Sequence, residues 1–189
     1  STGVIQSGSA TKSKDTRERK LKSPFKSPSQ MFSESKVFMP EDTISYFADP
    51  GQRGAIAVVM NNNLDGMTVH KYKDPSTLIE LFLEYKHLRR KLIMENVPPF
   101  TGATIPSSRS FKLGENCGLM EGIARGMFIS CEKVSPKKWQ SIYTGLKGLT
   151  GPKRKRKLKD HAAALYPSLR PTLVTCDAIL IAHFFITNR

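Results

Sequence analysis

The sequence predicts an α/β fold, a mixed five-stranded sheet with helices on both faces. Three observations lead there. Residues 43–72 hold three apolar runs divided by turn signals. Beyond them, helical patterns alternate with short apolar runs. A strand that follows a helix needs a parallel crossover, whereas the opening hairpin is antiparallel. At 189 residues the chain has the length of one domain with a sizeable core.

Each element has its own reason. Thr43 to Asp49 and Gly54 to Asn61 read as two strands around the turn Asp49-Pro50-Gly51. The stretch NNNLDG (Asn61 to Gly66) is a turn, and Met67 to Tyr72 a third strand. Asp74 or Ser76 can cap the next segment, where Leu78, Leu81, Phe82, Tyr85 and Leu88 share a helical face. KLIMEN (Lys91 to Asn96) is the fourth strand, and Pro98 to Ser110 a loop. Leu113, Cys117, Met120, Ile123, Ala124 and Met127 recur at helical spacing. FISCEKVS (Phe128 to Ser135) is the fifth strand. Ser135 and Pro136 form an N-cap and first position for a short helix carrying Trp139, a core residue. TGPKRKRKLK (Thr150 to Lys159) reads as a basic loop, Asp160 to Pro167 as a short helix, and Pro171 to Thr187 as a final apolar helix.

The organisation is a tail over residues 1–40 and a globular domain over residues 41–189. The tail is rich in Ser, Lys and Arg, repeats Ser-Pro, and has too few apolar residues for a core, the composition of disordered chain. The formal net charge is +14 and the pI about 9.9. So large an excess points to a polyanion, nucleic acid ahead of a membrane surface. Cys117, Cys131 and Cys176 are widely spaced and form no C-x-x-C pair, which argues against a zinc site or a disulfide framework. No apolar run reaches membrane-spanning length and no signal-peptide core is evident, so secretion is not expected. The basic, Ser-rich start leads us to expect a mitochondrion or another DNA-containing organelle.

Three acids stand out. Asp49 and Glu95 each end an apolar run, at the margin of a buried strand. Asp177 lies in an otherwise apolar helical stretch, on one face with Val174, Ile181 and Phe184. Alone, each has an ordinary structural explanation: a turn, a wet edge, a backbone hydrogen bond. Together on core-facing elements they would repel one another and lose hydration. A divalent cation held by hard oxygen ligands, Mg2+ or Mn2+, resolves that conflict and supports phosphodiester cleavage. The expectation requires the three carboxylates to meet closely enough to share an ion. A salt bridge filling that position would count against it.

Five segments in order resemble the RuvC-type Holliday junction resolvases of the RNase H-like superfamily. ADPGQRGAIAVV, with Asp49, resembles the family's first-strand aspartate and turn. LIMENVP, with Glu95, resembles its fourth-strand glutamate. SFKLGENCGLMEGIA, VSPKKWQ and CDAILIAHF, with Asp177, resemble the three later segments. The similarity spans about Tyr46 to Phe184. It implies an RNase H-like sheet, catalytic and metal-binding roles for Asp49, Glu95 and Asp177, an Mg2+ or Mn2+ cofactor, and a homodimer cleaving four-way DNA junctions. One position departs. The family carries an acid or histidine three residues before its last aspartate, where this chain has Val174; Asp160 and His161 are the nearest upstream substitutes.

Lys153, Arg154, Lys155, Arg156, Lys157 and Lys159 form the densest positive run, suited to phosphate contacts, with Arg109 and Lys112 as further candidates. Phe100 is a candidate wedge against an unstacked base. His70, His87 and His183 form no cluster. The competing reading is a relative of such nucleases that has lost its chemistry and serves as a structural component of a ribonucleoprotein, such as a mitochondrial ribosome. Val174 and the basic tail favour it; the three acids favour the enzyme.

Overall fold

The computed structural model describes residues 42–51, 54–72, 74–97 and 107–188. Phe100 and the tail over residues 1–40 lie outside them. Five strands, β1 (Thr43–Asp49), β2 (Ala55–Met60), β3 (Thr68–Lys71), β4 (Arg89–Glu95) and β5 (Ser130–Val134), form one sheet in the order β3-β2-β1-β4-β5. β1 pairs antiparallel with β2, and β2 with β3. β1 pairs parallel with β4, and β4 with β5. This is the mixed sheet that the element order predicts.

Side chains of a strand alternate between faces, and here both faces are covered. Ile44, Tyr46, Ala48, Leu92 and Met94 pack under α1 (Pro75–Glu84) and α2 (Ser107–Gly126), through Leu78, Phe82, Cys117, Met120 and Ala124. Phe47, Ala57, Val59 and Ile93 face the other way. They meet Trp139 of α3 (Pro136–Gln140), Leu158 and Ala162 of α4 (Gly151–Leu165), and the buried face of α5 (Cys176–Thr187). Asp74 caps α1 by accepting a hydrogen bond from the Thr77 amide at 3.0 Å, and Ser135 caps α3 through the Lys138 amide at 3.3 Å.

Several boundaries differ from expectation. α1 ends at Glu84, so Tyr85 and Leu88 lie beyond it, and β4 begins at Arg89. α2 begins at Ser107, inside the expected loop. The main correction concerns the basic run. It is not a loop: Gly151 to Leu165 is one continuous helix that absorbs the short helix after it. Lys and Arg are good helix formers, and Pro152 sits in the first turn, where its missing N–H costs nothing. Leu158 and Ala162, four residues apart, are buried and anchor the helix to the core. α5 in turn starts at Cys176 and not at Pro171. The Thr175 hydroxyl accepts from the Thr172 amide at 2.9 Å and shapes a turn before it, which leaves Val174 outside the helix.

If α4 is anchored in this way, Leu158→Ala should lower stability by about 2–5 kcal/mol, the usual cost of emptying a buried leucine site. Chemical denaturation measures it, and an unchanged midpoint would refute the anchoring role.

Candidate active site

Strand pairing brings the first two acids together. Ala48 and Met94 are the last paired residues of the parallel β1–β4 ladder. Asp49 and Glu95 therefore follow side by side on strands about 4.8 Å apart. Each lies two residues beyond a side chain, Phe47 or Ile93, that faces the α5 layer, so both continue on that face. Asp177 arrives from above in the first turn of α5, and is only 8% exposed. A helix N-terminus favours a negative charge there.

Each acid has a fixed partner. The Gly51 amide donates to Asp49 Oδ1 at 3.0 Å, closing the turn expected from Asp-Pro-Gly. The Tyr72 hydroxyl donates to the carbonyls of Asp49 and Gly51 at 3.2 and 3.1 Å. A Cβ on Gly54 would come within 2.1 Å of the Asp49 carbonyl oxygen, so only glycine fits beside this turn. Trp139 Nε1 donates to Glu95 Oε2 at 2.8 Å. Cys176 Sγ donates to Asp177 Oδ1 at 3.3 Å.

Between Asp49 and Asp177 stands Lys155 of α4. Its Nζ is 2.5 Å from Asp177 Oδ2 and 3.6 Å from Asp49 Oδ2. This is the salt bridge that the sequence reading counts against a shared metal. Among the described residues, no three His, Cys, Asp or Glu side chains are spaced to hold a metal ion as they stand. Yet Lys155 leaves the cluster short of positive charge. Burial raises the Asp49 carboxyl above its ordinary range, and the Asp177 charge adds to the shift. Burial, together with Asp49 and Asp177, pushes Glu95 up to about 7, against the opposing pull of Trp139 and Lys155. Burial acts to lower the Lys155 ammonium, but attraction to Asp177 and Asp49 outweighs it and the pKa rises. Three carboxylates are the hard oxygen donors that suit a divalent cation by chemistry, although Lys155 pairs with two of them and their present spacing does not form a metal site.

The remaining candidates scatter. Lys153, Arg156 and Lys157 are exposed on α4. Arg154 is engaged, donating to Gln140 Oε1 at 2.8 Å and to the Leu149 carbonyl at 3.3 Å. Lys159 is partly buried. Arg109 and Lys112 are exposed near the start of α2. Neither substitute for the missing fourth ligand reaches the acids. Asp160 is exposed on the side of α4 away from Lys155, and His161 Nε2 pairs with the Thr144 carbonyl at 2.8 Å. His183 pairs with the Tyr166 hydroxyl. Two residues gain roles that the sequence reading did not give them. Trp139, expected only as core, also orients Glu95. Lys155, expected on phosphate, pairs with the acids. The signal for Lys155 was present: at helical spacing it shares a stripe with Leu158 and Ala162, the buried side of α4.

The Glu95 shift sets a pH dependence. The folded protein holds the Glu95 proton up to about pH 7, whereas an ordinary glutamate releases it near 4.5. Over that window the folded state binds more protons than the unfolded chain. Stability in metal-free buffer should therefore fall as pH rises from 4.5 to about 7, by on the order of 3 kcal/mol at most. Glu95→Gln keeps an acceptor for Trp139 and should flatten the slope in urea denaturation across that range. An equally steep slope in the variant would assign the effect to other groups.

No family model matches this chain, and no curated protein matches it in sequence. Solved structures do match. The RuvC of T. thermophilus in complex with a Holliday junction substrate aligns with a TM-score of 0.51 at 11% identity, over 77% of this chain and 96% of that one. A second Thermus thermophilus RuvC structure aligns with a TM-score of 0.50 at 13% identity, over the same shares. With its β3-β2-β1-β4-β5 order and helices on both faces, the chain has a RuvC-like, RNase H-like α/β fold.

Proposed function

We propose that the protein is a metal-dependent, structure-selective endonuclease that cleaves four-way DNA junctions. The observation that carries this reading is the convergence of Asp49, Glu95 and Asp177 from three separate elements on a site where one ammonium leaves them under-neutralised. A structural ion pair does not call for a third carboxylate beside it; a divalent-ion site does. Asp49, Glu95 and Asp177 would hold Mg2+ or Mn2+, which supplies an activated water and stabilises the leaving oxygen in phosphodiester cleavage. The chain's own groups do the positioning. Trp139 fixes the Glu95 carboxylate, the Gly51 amide fixes Asp49, and the first turn of α5 places Asp177 beside them. Exposed Lys153, Arg156 and Lys157, with Arg109 and Lys112, are suited to backbone phosphates, a salt-sensitive and sequence-independent grip. The fold shared with a RuvC solved on a Holliday junction substrate supports the choice of substrate. Two symmetrical nicks in a four-way junction need two such sites, hence a homodimer.

A second reading has its own observations. The Lys155 ion pair and the apolar Val174 favour a binding protein on the same fold, a nucleic-acid-binding component of a ribonucleoprotein.

Labelled four-way junctions incubated with Mg2+ or Mn2+ should acquire paired nicks, and Asp49→Asn should reduce cutting by at least ~100-fold. No cutting at any concentration of either ion, together with native protein sedimenting with a large RNA particle, would establish the second reading instead.

A further inference from the structure

Lys155 does not sit with the other cations of its helix. Lys153, Arg156 and Lys157 face solvent, whereas Lys155 turns inward along the Leu158–Ala162 stripe and reaches two of the three acids. Its side chain nevertheless keeps 32% of its surface exposed, so the ammonium stands at the mouth of the cluster. A lysine there is a point charge on a flexible four-carbon stem, able to leave by rotating about single bonds, without backbone movement. An anion bound to the exposed side of α4 would offer it another partner close by.

We infer that Lys155 is a built-in competitor for the divalent ion: in the free protein its ammonium occupies the cation position among Asp49, Glu95 and Asp177, and nucleic-acid phosphate drawn to α4 lifts it out and admits the metal. The inference rests on the metal-binding part of the reading above. Its consequence is that metal and nucleic acid bind with positive coupling. By linkage, each raises the affinity for the other by the same factor. A nuclease built this way would hold little metal, and so have little activity, away from its substrate.

The test is Mn2+ binding followed by electron paramagnetic resonance, on the full chain without nucleic acid. Lys155→Met removes the charge and keeps the stem's length. It should bind Mn2+ at least ~10-fold more tightly than the wild type, while Lys155→Arg, which keeps the charge, should stay weak. Thermal melting gives a readout independent of activity. Lys155→Met should melt lower than the wild type in metal-free buffer and recover on adding Mn2+, because the ion replaces the lost ammonium. A Lys155→Met protein that folds only with Mn2+ also supports exchange. One that folds under neither condition overturns it, since the ammonium would then be an irreplaceable structural charge. Equal Mn2+ affinity in the wild type and Lys155→Met, or no Mn2+ binding by either, overturns it as well. Failure of the nuclease reading is read separately, from the absence of junction cutting. A protein that passes the Mn2+ test and cuts nothing would keep the competition and lose the enzyme.

Discussion

The contact on which the rest depends is the pairing of one ammonium, Lys155, with a buried carboxylate, Asp177, and a partly buried one, Asp49. Like charges withdrawn from water repel strongly, and removing one partner of such a cluster leaves an uncompensated charge behind. The cluster also ties together elements that are distant in sequence. Asp49 ends the central strand, Asp177 opens the last helix, and Lys155 belongs to the helix between them. The apolar layer under α4 and α5 sets where these residues arrive. Their charges set what the layer must tolerate at its edge.

Glu95 shows why one lysine is not a full solution. It is adjacent to Asp49 through the parallel register and held by Trp139, yet its carboxyl is displaced upward to about 7. A core evolved only for stability has a simple alternative at that position, an apolar residue matching Ile93 two residues before it. Burial and two neighbouring charges disfavour the ionised form of Glu95, a perturbation that the proposed metal-binding role would explain, since perturbed groups gather where chemistry is done. The Trp139 hydrogen bond is directional and fixes one face of the carboxylate, as a positioning partner does and a casual core contact does not.

The sheet was legible in the sequence because its signals are local. The apolar run in Thr43–Asp49, the Asp-Pro-Gly turn and the Ser135-Pro136 start each depend on a few adjacent residues, and all five strands follow from such cues. The three acids stand out for a related reason: a carboxylate that ends an apolar run, as Asp49 and Glu95 do, or interrupts one, as Asp177 does, violates the pattern around it. What was not legible was the conformation of residues 150–159. A run with six Lys or Arg between Pro152 and Lys159 has too few apolar residues to show a helical period by itself. The period becomes visible only when Leu158 and Ala162 are read together across the boundary drawn after Lys159. With the loop went the orientation of Lys155, since a loop assigns no faces. Trp139 was read correctly as core, but its indole N–H needed a partner, and a partner forty-four residues away is not written in local sequence.

The same helix qualifies the use of net charge. A formal +14 suggests one broad electropositive surface, yet 3.6 residues per turn divide a basic run into different environments. On α4 the division is explicit. Lys153, Arg156 and Lys157 meet water, Arg154 is spent on Gln140 and the Leu149 carbonyl, and Lys155 is turned into the acid cluster. Only the first group is free to meet phosphate while the protein is alone. The charge that matters most to the site is thus one that a surface count would assign to the wrong partner. In the exchange inferred above, an anion bound outside and the acids inside would compete for the Lys155 ammonium, which lies within a single turn of helix of the exposed group. The balance of charge at the acids would then depend on what the outer face of α4 has bound.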